Sequence, residues 1–183
     1  MASVLVPLAP GCEELEAVTV VDLLRRAGIE VVTAGLDAQP VKASRGMTLL
    51  PDMTLEMALQ QRFDMVVLPG GQPGADHLRD DPRVIRLLQE MAASGGYTAA
   101  ICAAPRVLAH AGLLDGKRAT SYPGALDIEG VPGIEYLETA VVTDGRVITS
   151  RGPGTAMDFA LVLIETLVGK AKRHEVEAAL QRG

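Results

Sequence analysis

The sequence has no tryptophan and only two phenylalanines and three tyrosines among its 183 residues, so it lacks the aromatic side chains on which single-stranded nucleic acids stack. Its 17 lysines and arginines are outnumbered by 23 aspartates and glutamates. The resulting net charge of −6 provides no basic field that would attract a phosphate backbone. We therefore expect no nucleic acid as a primary partner.

Two cysteines, Cys12 and Cys102, are too few for the disulfide framework of a small secreted protein. No apolar run reaches the roughly 18 residues that a membrane span requires. Residues 1–10 also lack the basic region and the cleavage site of a signal peptide. The expectation is a cytoplasmic protein with no membrane partner.

Short β-branched runs alternate along the chain with segments of helical periodicity. The predicted strands are residues 3–8, 30–35, 64–68, 97–101, 140–143 and 146–150, with a β-rich excursion at 45–50 and a short candidate at 119–121. The predicted helices are residues 13–27, a weak one at 54–60, 82–93, 102 to about 112, 153–168 and 174–181. This alternation predicts a doubly wound, mostly parallel α/β sheet. The last two long strands, joined by Asp144-Gly145, predict an added β-hairpin.

Three features fall at the carboxyl ends of predicted strands, where open α/β sheets bind ligands. They are residues 11–16, residues 69–74 and Cys102. Cys102 follows a strand directly and is flanked by alanines that leave room for a tight turn into a helix. Unpaired N–H groups at a helix N-terminus would lower the pKa of such a thiol and favour its thiolate, which is the nucleophilic form. The alternative is a small buried hydrophobic residue, which free cysteine usually is.

Glu16 lies on the edge of the apolar face of the first predicted helix. A carboxyl there is partly desolvated, which raises its pKa and suits it to general acid–base work; the alternative is a half-exposed helix carboxylate. Glu13 and Glu14 are interpreted as solvent carboxylates that the helix dipole favours. Cys12 is interpreted as a spectator at a small-residue turn, with dipole-assisted reactivity as the alternative.

The paired glycines Gly70 and Gly71 let backbone N–H groups converge on an oxyanion, although a plain turn is the simpler interpretation. The three histidines, His77, His110 and His174, are predicted to be surface or capping residues, so no triad base is expected. No cysteine, histidine or carboxylate spacing predicts a metal site.

Four motifs, GCEELEA, VVLPGGQPGA, AAICAAP and TSRGPGTAMDFAL, resemble in order and spacing those of the ThiJ/PfpI superfamily. The resemblance is strongest to the bacterial YajL branch and its parkinsonism-associated animal relatives. It covers essentially the whole chain and implies one ThiJ/PfpI-type domain over residues 1–183, with a flavodoxin-like sandwich fold and a homodimeric assembly.

The resemblance also assigns roles to single residues. Cys102 matches the reactive cysteine of the family and Glu16 its partner glutamate, while Gly70 and Gly71 match glycines whose amides face that cysteine. Ala103 and Tyr122 complete the candidate set of oxyanion and substrate-binding residues. The residues that match arginines near the dimer interface of similar proteins are Arg25 or Arg26, with Arg45.

Tyr122 is a departure from the pattern, because many relatives carry a histidine at this position. A phenol with an ordinary pKa of about 10 cannot replace imidazole as a base at neutral pH. Proteolysis by a Cys–His pair, known in other branches, is therefore not expected here. A phenol can still donate a hydrogen bond to a bound oxygen.

Three functions compete at this point. The first is cofactor-independent processing of small α-oxoaldehydes, or of their early adducts with proteins and nucleotides, through Cys102 and Glu16 (a glyoxalase or deglycase). The second is an oxidative-stress sensor or chaperone in which Cys102 oxidises to a sulfinate. The third, a nucleotide-binding module, leaves both residues unexplained and ranks last.

Overall fold

A computed structural model describes residues 1–182; Gly183, the last residue of the predicted domain 1–183, lies outside the described residues. The strands are β1 (Ser3–Leu8), β2 (Glu30–Gly35), β3 (Val41–Lys42), β4 (Thr48–Leu49), β5 (Met53–Thr54), β6 (Met65–Leu68), β7 (Tyr97–Ile101), β8 (Arg118–Ala119), β9 (Glu135–Tyr136), β10 (Val141–Asp144) and β11 (Val147–Ser150). The helices are α1 (Glu14–Arg26), α2 (Leu55–Ala58), α3 (Gly74–Asp80), α4 (Pro82–Ala93), α5 (Pro105–His110), α6 (Ala156–Val168) and α7 (Lys170–Ala179). A 3₁₀ turn, Pro153–Thr155, precedes α6.

The central sheet has seven strands in the order β10-β11-β7-β6-β1-β2-β5. All of its pairings are parallel except that of β10 with β11, so the predicted mostly parallel sheet flanked by helices is confirmed. The chain builds outward from β1 to β2 on one side and from β1 to β6 on the other. The strand order therefore reverses beside β1, and such a reversal opens a crevice at the carboxyl ends of the strands.

Helices cover both faces of the sheet because its strands are apolar on both sides. Val4 and Val6 pack with residues of α1 and α6, whereas Leu5 packs with residues of α4 and α5 on the opposite face. This alternation follows from the two-residue period of a strand. The sheet is thereby held rigidly between two apolar layers.

Helix α1 places one of the candidate residues at the sheet, because its buried face includes Glu16 together with Ala17, Val20 and Leu24. Glutamates in the first turn and arginines in the last turn complement the helix dipole. The helix ends at Arg26, and Gly28 then turns the chain with a φ of 76°, in the left-handed region that favours glycine.

The predicted hairpin is confirmed, with Gly145 at a φ of 60° in its turn. Within the central sheet only β10 runs antiparallel to its neighbour, since β11 joins the sheet parallel to β7. The β-rich excursion at 45–50 contains β4, which pairs with β3, outside that range, in a small antiparallel hairpin. The candidate strand at 119–121 overlaps β8 only at Ala119, and β8 pairs with β9 in a separate two-stranded sheet.

The sequence analysis missed α3, β3, β5 and β9. Helix α3 begins at Gly74 after Pro73, and neither residue favours a helix. The helix is stabilised by burial and not by helix propensity: Leu78 packs in the layer that contains α4 and α5, and Ala75 packs in the layer that contains α1 and α6. Strands of two residues, such as β5 and β9, are too short to show a periodic pattern.

Candidate active site

Three loops meet at the carboxyl end of the sheet, as the sequence predicts. The backbone of the loop after β6 contacts both the loop after β1 and the turn after β7. An ideal Cβ on Gly74 would lie 2.5 Å from the Cys12 amide nitrogen, and one on Gly70 would lie 2.6 Å from Cys102 Cβ. Glycine is therefore required at both positions by close approach, and the loop brings Cys102 together with the start of α1.

The backbone holds Cys102 in an unusual conformation, with a φ of 64°. This left-handed conformation costs a non-glycine residue about 1–3 kcal/mol and persists only where neighbours impose it. Here the Cys102 N–H donates to Ser150 O at 2.9 Å, and Cys102 O accepts from the Tyr122 N–H at 2.8 Å. Cys102 is buried beside residues of α1 and α6, and the turn places its thiol in hydrogen-bond contact with the Glu16 carboxyl group.

Glu16 is completely buried, not at the edge of the apolar face as the sequence suggests. Its Oε2 accepts a hydrogen bond of 2.8 Å from the Gly70 N–H. Its Oε1 has no hydrogen-bond partner among residues 1–182. One oxygen is therefore fixed, and the other is free to exchange a proton with the neighbouring thiol or with a substrate.

Burial raises the pKa of Glu16 to about 7, although the Gly70 N–H and the Cys102 thiol lower it in part. Burial also raises the pKa of the Cys102 thiol to about 12, and the Glu16 carboxylate adds to this increase. The sequence analysis expected the opposite direction for Cys102. That expectation is wrong because α5 begins only at Pro105, so desolvation and a nearby negative charge dominate.

The amides around the sulfur differ from the expected pair of glycines. The Gly70 N–H is donated to Glu16 and is not available to an oxyanion. The Gly71 and Ala103 N–H groups face the sulfur, and each favours its thiolate. Gly70 therefore positions the carboxyl group, and the pair Gly71 and Ala103 supplies the donors beside the nucleophile.

Tyr122 reaches the site through its backbone, which binds Cys102 O. The residue is 52% exposed, and its ring lies 3.3 Å from the position of an ideal Cβ on Gly152. The ring therefore covers the glycine-rich turn before α6 at the rim of the site. Nothing larger than glycine fits beneath it without displacement.

The other predicted residues lie away from the thiol. Arg25 pairs with Asp52 at 2.8 Å and Arg26 with Asp22 at 2.8 Å, whereas Arg45 is 80% exposed. The three histidines are exposed, as predicted.

The interpretation of Glu13 and Glu14 as solvent carboxylates is wrong, because both are buried. The Glu14 carboxylate accepts N–H groups of Arg45 at 3.0 Å and Met47 at 3.3 Å. Burial alone would raise its pKa, but these N–H groups lower it. The two residues were missed because their partners lie some thirty residues away.

Cys12 is fully buried, and this burial, together with Glu14, raises the pKa of its thiol to about 11. A buried thiol that stays protonated is a poor nucleophile unless a base is in hydrogen-bond contact with it, as Glu16 is with Cys102. The environment therefore fits the interpretation of Cys12 as a spectator.

Within residues 1–182, no helix has the length and apolarity to cross a membrane. The same described part of the chain holds no cluster of three or more cysteine, histidine, aspartate or glutamate side chains suited to a metal ion.

Replacing Glu16 with glutamine is expected to stabilise the protein at alkaline pH. The folded-state pKa of about 7 lies above the ordinary 4.5, so between these values the native state holds a proton that the unfolded chain has lost. Wild-type stability therefore falls as pH rises through this window, by about 3 kcal/mol in total. Denaturant unfolding near pH 4 and pH 8 should show a gain for Glu16→Gln at the higher pH only. An equal difference at both pH values would contradict the raised pKa.

The chain is similar to known proteins in both sequence and structure. The sequence pattern of the DJ-1/PfpI family matches residues 2–166. Protein dj-1beta of Drosophila melanogaster is 48% identical over 180 residues, which cover 97% of this chain and 96% of that protein. Its crystal structure superimposes with a TM-score of 0.94 at 47% identity and covers 100% of this chain and 98% of that one. A Caenorhabditis elegans protein named glutathione-independent glyoxalase DJR-1.2 is 39% identical over 175 residues, 95% of this chain and 93% of its own length.

Proposed function

This chain belongs to the DJ-1/PfpI family, and we propose that it converts small α-oxoaldehydes, with methylglyoxal as the type substrate, into α-hydroxyacids without a cofactor. One observation carries the proposal. A buried carboxyl group with a pKa of about 7 lies beside a thiol that the backbone aims into the site. A general acid–base is most effective when its pKa is close to the working pH.

The first step is the attack of Cys102 on the aldehyde carbon. The thiol is protonated at neutral pH, so its proton must leave as the C–S bond forms, and Glu16 is the base in place to accept it. The carbonyl oxygen becomes an alkoxide beside the Gly71 and Ala103 N–H groups, which stabilise its charge. Protonation of that oxygen by Glu16 gives a neutral hemithioacetal.

The second step moves a proton from the former aldehyde carbon to the adjacent ketone carbon. Glu16 removes the first proton, an enediol forms, and reprotonation at the neighbouring carbon gives a thioester of Cys102. Water then hydrolyses the thioester, which releases lactate and restores the thiol. The sum is methylglyoxal plus one water molecule to lactic acid, with no external oxidant or reductant.

Two further observations support this reaction class. A relative of 39% identity carries the name of a glutathione-independent glyoxalase. Tyr122 provides no imidazole for a Cys–His protease. Release of early aldehyde adducts from amines or thiols uses the same attack by Cys102 and is the finer, deglycase form of the proposal.

NMR detection of lactate from methylglyoxal tests the proposal. Wild-type protein is expected to form lactate well above the rate in buffer, with no added thiol or metal. Lactate at the buffer rate would overturn the glyoxalase assignment.

A stress sensor is the second candidate, favoured by the same pair of groups. A protonated Glu16 is placed to donate a hydrogen bond to the oxygens of an oxidised Cys102 and so hold it as a sulfinate. In this case wild-type protein would form no lactate, and graded peroxide would add two oxygens to Cys102 first. Oxidation of Cys12 before Cys102 would contradict the sensor function.

We also propose a homodimer that buries the outer face of α1. Leu15 and Val18 are about half exposed on this face, and Leu50 beside them is 80% exposed. A groove of about 320 Å³ runs between Val18 and Leu50. Sedimentation equilibrium is expected to give about twice the chain mass of 19.2 kDa for wild type and the single mass for Val18→Arg. A monomeric wild type would contradict the dimer.

A further inference from the structure

Arg106 links two segments that border the candidate active site. It lies on α5, four residues after Cys102, and its side chain is 26% exposed. Its Nε donates to Ala125 O at 3.1 Å, and its Nη1 donates to Asp76 Oδ1 on α3 at 3.0 Å. One guanidinium therefore joins α3 to the loop that follows β8.

Gln72 completes this network when its amide oxygen faces Arg106, the orientation that satisfies both of its polar atoms. Arg106 Nη1 then donates to that oxygen at 2.9 Å, and the Gln72 amide nitrogen donates to Asp76 Oδ2 at 2.7 Å. The Asp76 carboxylate also pairs with Arg79 at 3.0 Å. The loop after β6 is thus tied to the same guanidinium.

Both of the tied loops lead directly to the nucleophile. Gln72 follows Gly71, whose N–H faces the Cys102 sulfur. On the other side, the Ala125 N–H donates to Tyr122 O at 2.9 Å, and the Tyr122 N–H donates to Cys102 O at 2.8 Å. Arg106 therefore closes a ring of contacts that starts and ends at Cys102.

We propose that Arg106 is a positioning residue that sets the separation of the Gly71–Gln72 turn and the 122–125 loop across the Cys102 site. The consequence for the reaction rests on the proposed function, whereas the tether itself does not. Arginine suits this task because its planar fork donates in two directions at once. The three donors of a lysine ammonium share one nitrogen, so they do not match acceptors that the Nε and Nη1 atoms of Arg106 reach separately.

Arg79 provides a matched control. It pairs with the same Asp76 carboxylate but with neither Gln72 nor Ala125 among the described contacts of residues 1–182. Removal of either arginine leaves the carboxylate with one cation, and Asp76 is partly exposed in any case. The variants Arg106→Met and Arg79→Met therefore remove equal charge, and only the first breaks the ring.

Three measurements on the full-length protein test the proposal: amide hydrogen exchange of the segment 122–126, the rate of Cys102 alkylation by iodoacetamide, and kcat/KM for methylglyoxal. Loss of hydrogen bonds to a charged donor is expected to speed exchange and alkylation about tenfold in Arg106→Met, and to lower kcat/KM by a similar factor. The pH midpoint of kcat/KM should not move, because Glu16 and Gly70 are untouched. Arg79→Met should match wild type in all three, and Arg106→Lys should not restore them.

Unchanged exchange in Arg106→Met would overturn the tether, and faster exchange with unchanged alkylation and turnover would overturn the positioning role. If the wild type itself forms no lactate, exchange and alkylation decide the proposal alone. A tenfold change in both would then leave Arg106 as a positioning residue of a thiol site that lacks glyoxalase activity.

Discussion

Replacing Cys102 with serine is expected to lower lactate formation from methylglyoxal about a thousandfold or more, since loss of a covalent nucleophile removes the reaction path that it opens. A serine hydroxyl is far less acidic than a thiol, and Glu16 with a pKa of about 7 cannot deprotonate it effectively. NMR of the two proteins side by side, at equal concentration and with the folded fraction checked by circular dichroism, measures the effect.

Cys12→Ser is the matched control, because Cys12 is the only other cysteine in the sequence and is also buried. The Cys12→Ser protein should retain the turnover of wild type within a few-fold. Equal losses in the two variants would indicate a general effect on stability. Retained turnover in Cys102→Ser would remove Cys102 from the mechanism.

Replacing Glu16 with glutamine is expected to lower kcat/KM by about 10² to 10⁴, the usual contribution of a positioned acid–base group. Glutamine keeps an oxygen that can accept the Gly70 N–H, so the geometry is preserved while proton transfer is lost. In wild type, the reactive form of the Cys102–Glu16 pair has lost one proton. Since the lower pKa of the pair is about 7, wild-type kcat/KM should rise with pH through that value.

The pH profile separates catalysis from structure. For Glu16→Gln, kcat/KM should not rise with pH near pH 7. A variant that only loosens the site would still show this rise in kcat/KM, with a smaller amplitude. Full turnover in Glu16→Gln would contradict the role of the carboxyl group. A wild-type rate that is flat between about pH 6 and 8 would contradict the raised pKa.

The sequence could predict what depends on local pattern. Residues 4–8 and 65–68 are buried on both faces, and such runs indicate parallel strands because only a sheet covered on both sides hides every residue. The position of Cys102 directly after β7 could also be predicted, because the alanines that flank it leave room for a tight turn at the edge of the sheet. The pair Asp144-Gly145 predicted its hairpin through the conformational freedom of glycine.

The chemistry of the candidate site depended on contacts between distant residues. The bond between Gly70 and Glu16 joins positions 54 residues apart and turns an expected oxyanion donor into a support for the carboxyl group. The sign of the pKa shift of Cys102 required the burial of the thiol and the position of Glu16 beside it. The ring through Arg106 joins α3, α5 and two loops, and no periodicity marks its members.

The sequence by itself determined the parallel sheet and the turn that carries Cys102, because periodicity and turn chemistry act between near neighbours. The choice of Glu16 as the partner of Cys102 came from the family resemblance of the motifs. The tertiary structure alone decided which amides face the sulfur, which way the two pKa values move and what ties the rim of the site together. Those properties arise from desolvation and from hydrogen bonds across the fold, which exist only after the chain has packed.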